Sequence, residues 1–233
     1  MKTVIAIAAT LAAAALLCSC TFIKVKANGE AKEPVKLSGN VTEKTFAIAD
    51  FSKIDISIPA DVEYTVADTP EMILKADESI IGLIEVSSED GLLKIWSPEK
   101  RIRNFKHLSI SLSSTALESL ECKGAVDFEA PDGIIAENFT VGIAGAGDIK
   151  IHSLKTVSTE ITANGTADIN IEGIETGSIS LTINGAADAV LQGTAKEVSV
   201  MVNGAGDVDL KHLDYETLTN RINGAGSVRT PKR

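Results

Sequence analysis

From about residue 117 to 230, apolar and polar residues alternate in short runs, and the runs return about every twenty residues. The runs are separated by a glycine phrase. It reads Lys123-Gly124-Ala125-Val126-Asp127, Ala144-Gly145-Ala146-Gly147-Asp148 and Asn164-Gly165-Thr166-Ala167-Asp168, then Asn184-Gly185-Ala186-Ala187-Asp188, Asn203-Gly204-Ala205-Gly206-Asp207 and Asn223-Gly224-Ala225-Gly226-Ser227. The first glycines step by 21, 20, 20, 19 and 20 residues. Before each phrase, the odd-spaced positions are apolar in most copies: Phe139, Val141 and Ile143, for instance, or Val198, Val200 and Val202. After it come Ile149 and Ile151, Ile169 and Ile171, Ala189 and Leu191, and Val208 and Leu210. A third apolar point follows at Leu154, Ile174 and Leu213. Period-two alternation predicts strands with one buried face.

Two or three short strands per twenty-residue unit cannot enclose a core alone. Stacked units can, by pairing each strand with its copy in the next. The prediction is an all-β fold: a parallel β-solenoid with coils of about 20 residues, right-handed by the usual rule for crossovers. A strand spacing of about 4.8 Å spreads the six phrases over about 24 Å. The 19-residue unit has lost a residue near Gln192-Gly193-Thr194. Frequent Gly and abundant Ile, Val and Thr argue against helix. Cys122 occupies the position of Ile143 and Ile183 and is expected to face inward as a structural residue.

The first half, about Val41 to Leu120, alternates without the strict period, as in residues 54–58, 62–66 and 109–112. Glu89-Asp90-Gly91 predicts a turn between strands at 84–87 and 92–96. These strands are expected to continue the stack as less regular coils or hairpins and to cap it.

The N-terminus belongs to no coil. Lys2 followed by the apolar run Val4 to Leu17 has the shape of an export signal. Leu17-Cys18-Ser19-Cys20 resembles a bacterial lipobox, which implies cleavage after residue 19 and lipidation of Cys20. Residues 20–44 then form a lipidated flexible tether, and one solenoid domain covers 45–230. Cleavage leaves 214 of 233 residues and takes the formal charge from −10 to −11 by loss of Lys2. An acidic exported chain poor in aromatics is not a nucleic-acid binder. With Cys18 removed and Cys20 lipidated, Cys122 has no disulfide partner.

The sharpest chemical candidates are the turn aspartates Asp127, Asp148, Asp168, Asp188 and Asp207. Stacked carboxylates repel, so they are solvated, bonded to backbone N–H groups, or neutralised by a cation such as calcium. Backbone capping is the structural expectation. The calcium-binding nonapeptide of other β-rolls has a spacing that this phrase lacks. Asn164, Asn184, Asn203 and Asn223 are expected to form an amide ladder, or else a ligand-binding row. The glycines are expected to supply positive φ and close coil packing rather than a phosphate loop. Lys100, Arg101, Arg103 and Lys106 form a basic run, read as a solvated loop or a site for an anionic glycan or lipid headgroup. Three histidines without His-Glu-x-x-His or Cys-x-x-Cys give zinc no support, and no nucleophile elbow is present.

Phe51-Ser52-Lys53-Ile54-Asp55-Ile56, Asp90-Gly91-Leu92-Leu93-Lys94-Ile95 and the recurring Ile-Asn-Gly-Ala-Gly-Asp phrase resemble the auto-transporter adhesin head GIN domain family over about residues 45–228. The resemblance implies a β-solenoid in an exported protein, many members being lipoproteins, and supplies no catalytic residues. The functional expectation is a non-enzymatic, lipid-anchored cell-envelope protein, placed at the outer membrane, for adhesion, binding or scaffolding. Its expected partners are a membrane, through the lipid, and a glycan or envelope protein, with no cofactor required. The alternatives are a polysaccharide-active β-helix enzyme, which needs carboxylates and basic residues in one groove, and a calcium-stabilised structural module.

Overall fold

The computed structural model describes residues 33–99, 102, 105 and 108–232. Cys20, the signal segment, and Lys100, Arg101, Arg103 and Lys106 lie outside the described residues. The irregular half contains β1 (Val41–Phe46), β2 (Lys53–Ile56), β3 (Ala60–Val66), β4 (Glu71–Asp77), a one-turn helix α1 (Glu78–Ile81), β5 (Glu85–Glu89), β6 (Leu92–Trp96) and β7 (Ser109–Ser114). The repeats contain β8 (Ser119–Cys122), β9 (Val126–Ala130), β10 (Ile134–Ile135), β11 (Asn138–Ile143), β12 (Ala146–Ile151) and β13 (Leu154–Ala163). They finish with β14 (Thr166–Ile183), β15 (Ala186–Val202), β16 (Ala205–Ile222) and β17 (Ala225–Arg229).

The fold is a parallel β-solenoid, as the period predicted. The first ladder runs β6, β2, β8, β11, β13, β14, β15, β16, all parallel. The second, after the glycine phrase, runs β7, β3, β9, β12, β14, β15, β16, β17, also parallel. A shorter third side pairs Ile134, Leu154, Ile174, Gly193 and Leu213. In place of separate short strands, β14, β15 and β16 each pass round all three sides without leaving the ladder. The lost residue lies where Ile171 to Ile174 faces Leu191 to Gly193, a local irregularity in the pairing.

Inward columns make the core. One first-ladder column is Leu93, Ile54, Leu120, Val141, Ile161, Leu181 and Val200, all buried. Its neighbour holds Cys122, fully buried between Ile56 and Ile143. Burial, with Glu121 and Asp55 nearby, pushes the Cys122 thiol up to about 12, so it packs as a small apolar group. In the second ladder Tyr64 stacks on Phe128 and bonds Ser114 Oγ at 3.0 Å, which satisfies its buried hydroxyl.

Chain order and stacking order differ in the first half. β2–β3 lies inside the stack, with β8–β9 on one side and β6–β7 on the other. Beyond β7 lie β4 and then β1, and beyond β6 lies β5, all antiparallel to their neighbours. The hairpin joining β5 to β6 turns at Asp90 (φ 51) and Gly91 (φ 74), as Asp-Gly predicts. At the N-terminal end of the described residues, Val35 and Leu37 pack on the core and β1 pairs with β4. Asp77 fastens this region. Its carboxylate accepts from Ser38 N and Oγ, Gly39 N, and Ser79 N and Oγ at 2.6–3.1 Å, capping α1. Those donors, Ser79 first, hold its carboxyl well below the usual carboxylate range.

The turn glycines differ from expectation in one respect. Gly145, Gly165, Gly185 and Gly204 are not in the positive-φ region; the need is space. A Cβ on Gly185 would overlap the carbonyl oxygen of Gly165 one coil below, and the same holds at Gly145, Gly165 and Gly204. Gly185→Ala is therefore expected to cost about 2–3 kcal/mol by overpacking and to lower Tm by several degrees in calorimetry. Gly82→Ala, where a Cβ meets nothing within 4 Å, should leave Tm unchanged.

A second expectation concerns acid. Asp77 has a depressed pKa in the folded state, so its stabilisation is present above the ordinary carboxylate pKa of about 4 and is lost as pH falls below it. Asp77→Asn should be less stable at neutral pH and lose less further stability between about pH 4 and 2 than the parent. Thermal melts across that range measure this.

Candidate functional site

The second ladder turns a row of carboxylates outward. Pairing aligns Asp61, Asp127, Asp148, Asp168, Asp188 and Asp207, with Ser109 beyond Asp61 and Ser227 beyond Asp207. The last five are the turn aspartates. Asp61 was not legible from the phrase, because Pro59-Ala60-Asp61 lacks the glycine; only the β3–β9 pairing adds it. Two residues along each strand, Glu63, Glu129, Lys150, Asn170, Val190 and Asp209 form a second outward row.

The expected backbone capping is seen at one end of the row. Asp188 accepts from Asp207 N at 2.7 Å. Asp207 takes Ser227 Oγ at 2.8 Å and Arg229 at 2.9 Å, with the Ser227 backbone also contributing. Those contacts, Ser227 first, hold its carboxyl below the usual range. Asp127, Asp148 and Asp168 accept no hydrogen bond and make no ion pair among the described residues. Solvent is what these three have. Asp148 is raised by partial burial and then by Asp127 and Asp168 on either side. Among the described residues, no group of three or more His, Cys, Asp or Glu side chains converges on a metal position. A row spaced by the strands offers a cation carboxylates in a line rather than a closing ligand shell.

Where β3, β9 and β12 lie side by side, an open groove of about 440 Å³ runs between Asp61, Glu63, Asp127, Glu129, Asp148 and Lys150. Lys150 and His152 both meet Glu129 at 2.9 Å. Lys150 first and then His152 hold the Glu129 carboxyl below its ordinary value. Lys150, from the neighbouring row, thus brings a basic group into this groove, where it is paired with Glu129. Two further depressions lie along the corner, one beside Asp127, Asp148 and Asp168 and the next beside Asp168 and Asp188.

Asn164, Asn184, Asn203 and Asn223 form a ladder, each Nδ2 donating to the preceding Oδ1 at 2.8 Å. It begins only at Asn164 because the two earlier positions are Ala144 and Lys123, and Lys123 reaches Asp55 at 2.7 Å instead. The outer face of the first ladder carries Ser178, Ser180, Ser199, Thr217 and Thr219 round a shallow groove of about 260 Å³. Serine and threonine between apolar residues predict exposure but not a shared face, so this surface appears only when the strands are aligned.

The family model described as "Putative auto-transporter adhesin, head GIN domain" matches residues 50–174 and 152–231. The chain belongs to this family. Solved structures agree with the head GIN fold. A "putative adhesin" from Parabacteroides distasonis superposes with a TM-score of 0.73 at 16% identity, covering 85% of this chain and all (100%) of that one. A "putative adhesin" from Bacteroides fragilis gives 0.68 at 19% identity, covering 83% and 98%. A "putative lipid binding protein" from Parabacteroides distasonis gives 0.59 at 16%, covering 86% and 100%. No curated protein matches the sequence. At these identities the structures speak to the head GIN fold alone.

The carboxylate row gives the domain an electrostatic signature. Because Asp148 has a raised pKa in the folded state, its charge opposes folding at neutral pH, and the opposition is relieved as pH falls through the carboxylate range. Asp148→Asn should stabilise the head GIN domain by about 0.5 kcal/mol at low salt, an increment that shrinks at high salt as screening takes over. Urea unfolding at two ionic strengths measures both.

Proposed function

We propose that this head GIN domain is a non-catalytic binding or adhesion module held in the cell envelope by a lipid on Cys20, at the outer membrane. The observation that carries this reading is the family match, which spans residues 50–231 and so nearly the whole solenoid. The surface chemistry agrees with it. Long, flat, repetitive faces suit an extended partner such as a glycan strand or an envelope protein better than a small substrate. The acidic row favours a partner with cationic groups, and the hydroxyl face of the first ladder favours one rich in hydrogen-bonding groups.

A polysaccharide-cleaving enzyme is the second reading, and one observation favours it. The groove beside Asp148 gathers carboxylates and Lys150, the residue types that glycoside cleavage uses. A glycan array followed by hydrolysis assays on the bound polysaccharides separates the two. Binding with no released product is the expected result. Product release that disappears in Asp148→Asn would replace the binding role with catalysis. In the parent cell, Cys20→Ala is expected to abolish fatty-acid labelling and move the protein out of the membrane fraction. Unchanged labelling would remove the anchor from the proposal.

A further inference from the structure

The last coil departs from several columns that the earlier coils keep, although Leu218, Val228 and Asn223 continue theirs. In the first ladder, Asn220 takes the place of Val200, Leu181, Ile161 and Val141, and it is exposed where they are buried. Its neighbour Arg221 stands where Thr162, Thr182 and Met201 stand, and its Nε donates to Asn223 Oδ1 at 3.0 Å. That bond fills the acceptor at which the amide ladder would take its next donor. In the second ladder, Ser227 replaces the aspartate, and with Arg229 it occupies both oxygens of Asp207. Arg229 stands in the row of Val190 and Asp209.

Among the described residues, this coil also carries an unpaired edge: Thr217–Ile222 pairs with β15 on one side only, and β17 pairs only with β16. Apolar groups lie beside the bare backbone: Leu218 and Val228 are partly buried, and Ile222 is 41% exposed. An edge of this length with apolar inward positions is a template for another strand, and inward polar groups and edge cations are the features that blunt it. We infer that Asn220, Arg221, Ser227 and Arg229 form an edge guard that closes each column and keeps one solenoid from stacking on another. Asn220 acts by leaving an amide to desolvate in any end-to-end pairing. Arg221 and Arg229 act by satisfying ladder groups from within the coil and by placing a cation at the edge.

The test restores the residues that other coils use. Asn220→Val, Arg221→Thr and Arg229→Val are combined in the full chain, with Cys20→Ala in every sample so that lipid makes no contribution. Mass is followed by light scattering against concentration. The parent is expected to remain one chain, and the triple variant to show about a twofold or greater rise in weight-average mass. Ser180→Val, an equally apolar change on the outer face of the first ladder, should leave mass unchanged. Circular dichroism reports folding. If the triple variant does not fold, Asn220→Val with Arg221→Thr, both at exposed positions, carries the same readout. Folded variants that stay monomeric overturn the inference, as does a parent that associates through this edge or a Ser180→Val chain that associates equally.

Discussion

Each coil takes its place from the backbone hydrogen bonds it makes to the coil below, and those bonds fix the spacing at about 4.8 Å. Nearly everything else follows from that spacing. A side chain meets its own counterpart above and below, so a column accepts only residues that tolerate a close copy of themselves. Ile, Leu and Val do so inside, where contact replaces water. Asn does so at the turn, because one amide offers both a donor and an acceptor in the stacking direction. Glycine does so where the turn backbone of one coil lies against the turn carbonyl of the last and leaves no room for a Cβ.

The same spacing tolerates aspartate only outside. Carboxylates in a row have no donor to give one another, so each must find one elsewhere or remain in water. Asp188 finds a backbone N–H and Asp207 finds Ser227 and Arg229, while Asp127, Asp148 and Asp168 remain open. The row is therefore uncompensated at these three positions. Asp77 is the contrasting case: the same side chain, enclosed by five donor contacts, ties the N-terminal segment to the solenoid.

Much of this was legible in order along the chain. The period gave the coil length, the alternation gave the buried columns, and the missing residue near Gly193 appears as a local irregularity where it was expected. Cys122 was legible because it falls at a column position. Asp61, Glu63 and the hydroxyl face were not. Nothing local distinguishes Asp61 from any other strand aspartate, and it joins the row only because β3 lies against β9, more than sixty residues on. The three-sided passage of β14 was missed for a related reason: the alternation breaks between Ile171 and Ile174 and again before Ile179, which reads as separate strands, while the ladder pairing runs on through the bends.

The sequence by itself determined the coil, since a short-range pattern that repeats needs no distant information to define its buried face or its turns. It also marked the family, because the turn phrase is the unit that the coil repeats. Tertiary structure alone decided the order of the first coils, where β6–β7 lies outside β2–β3 instead of following it. The physical reason is that β2–β3 has two bare edges of equivalent chemistry. Both must be paired, and no residue in either strand says which later segment takes which edge. Only the whole stack, with antiparallel strands at one end and the polar coil at the other, makes that choice.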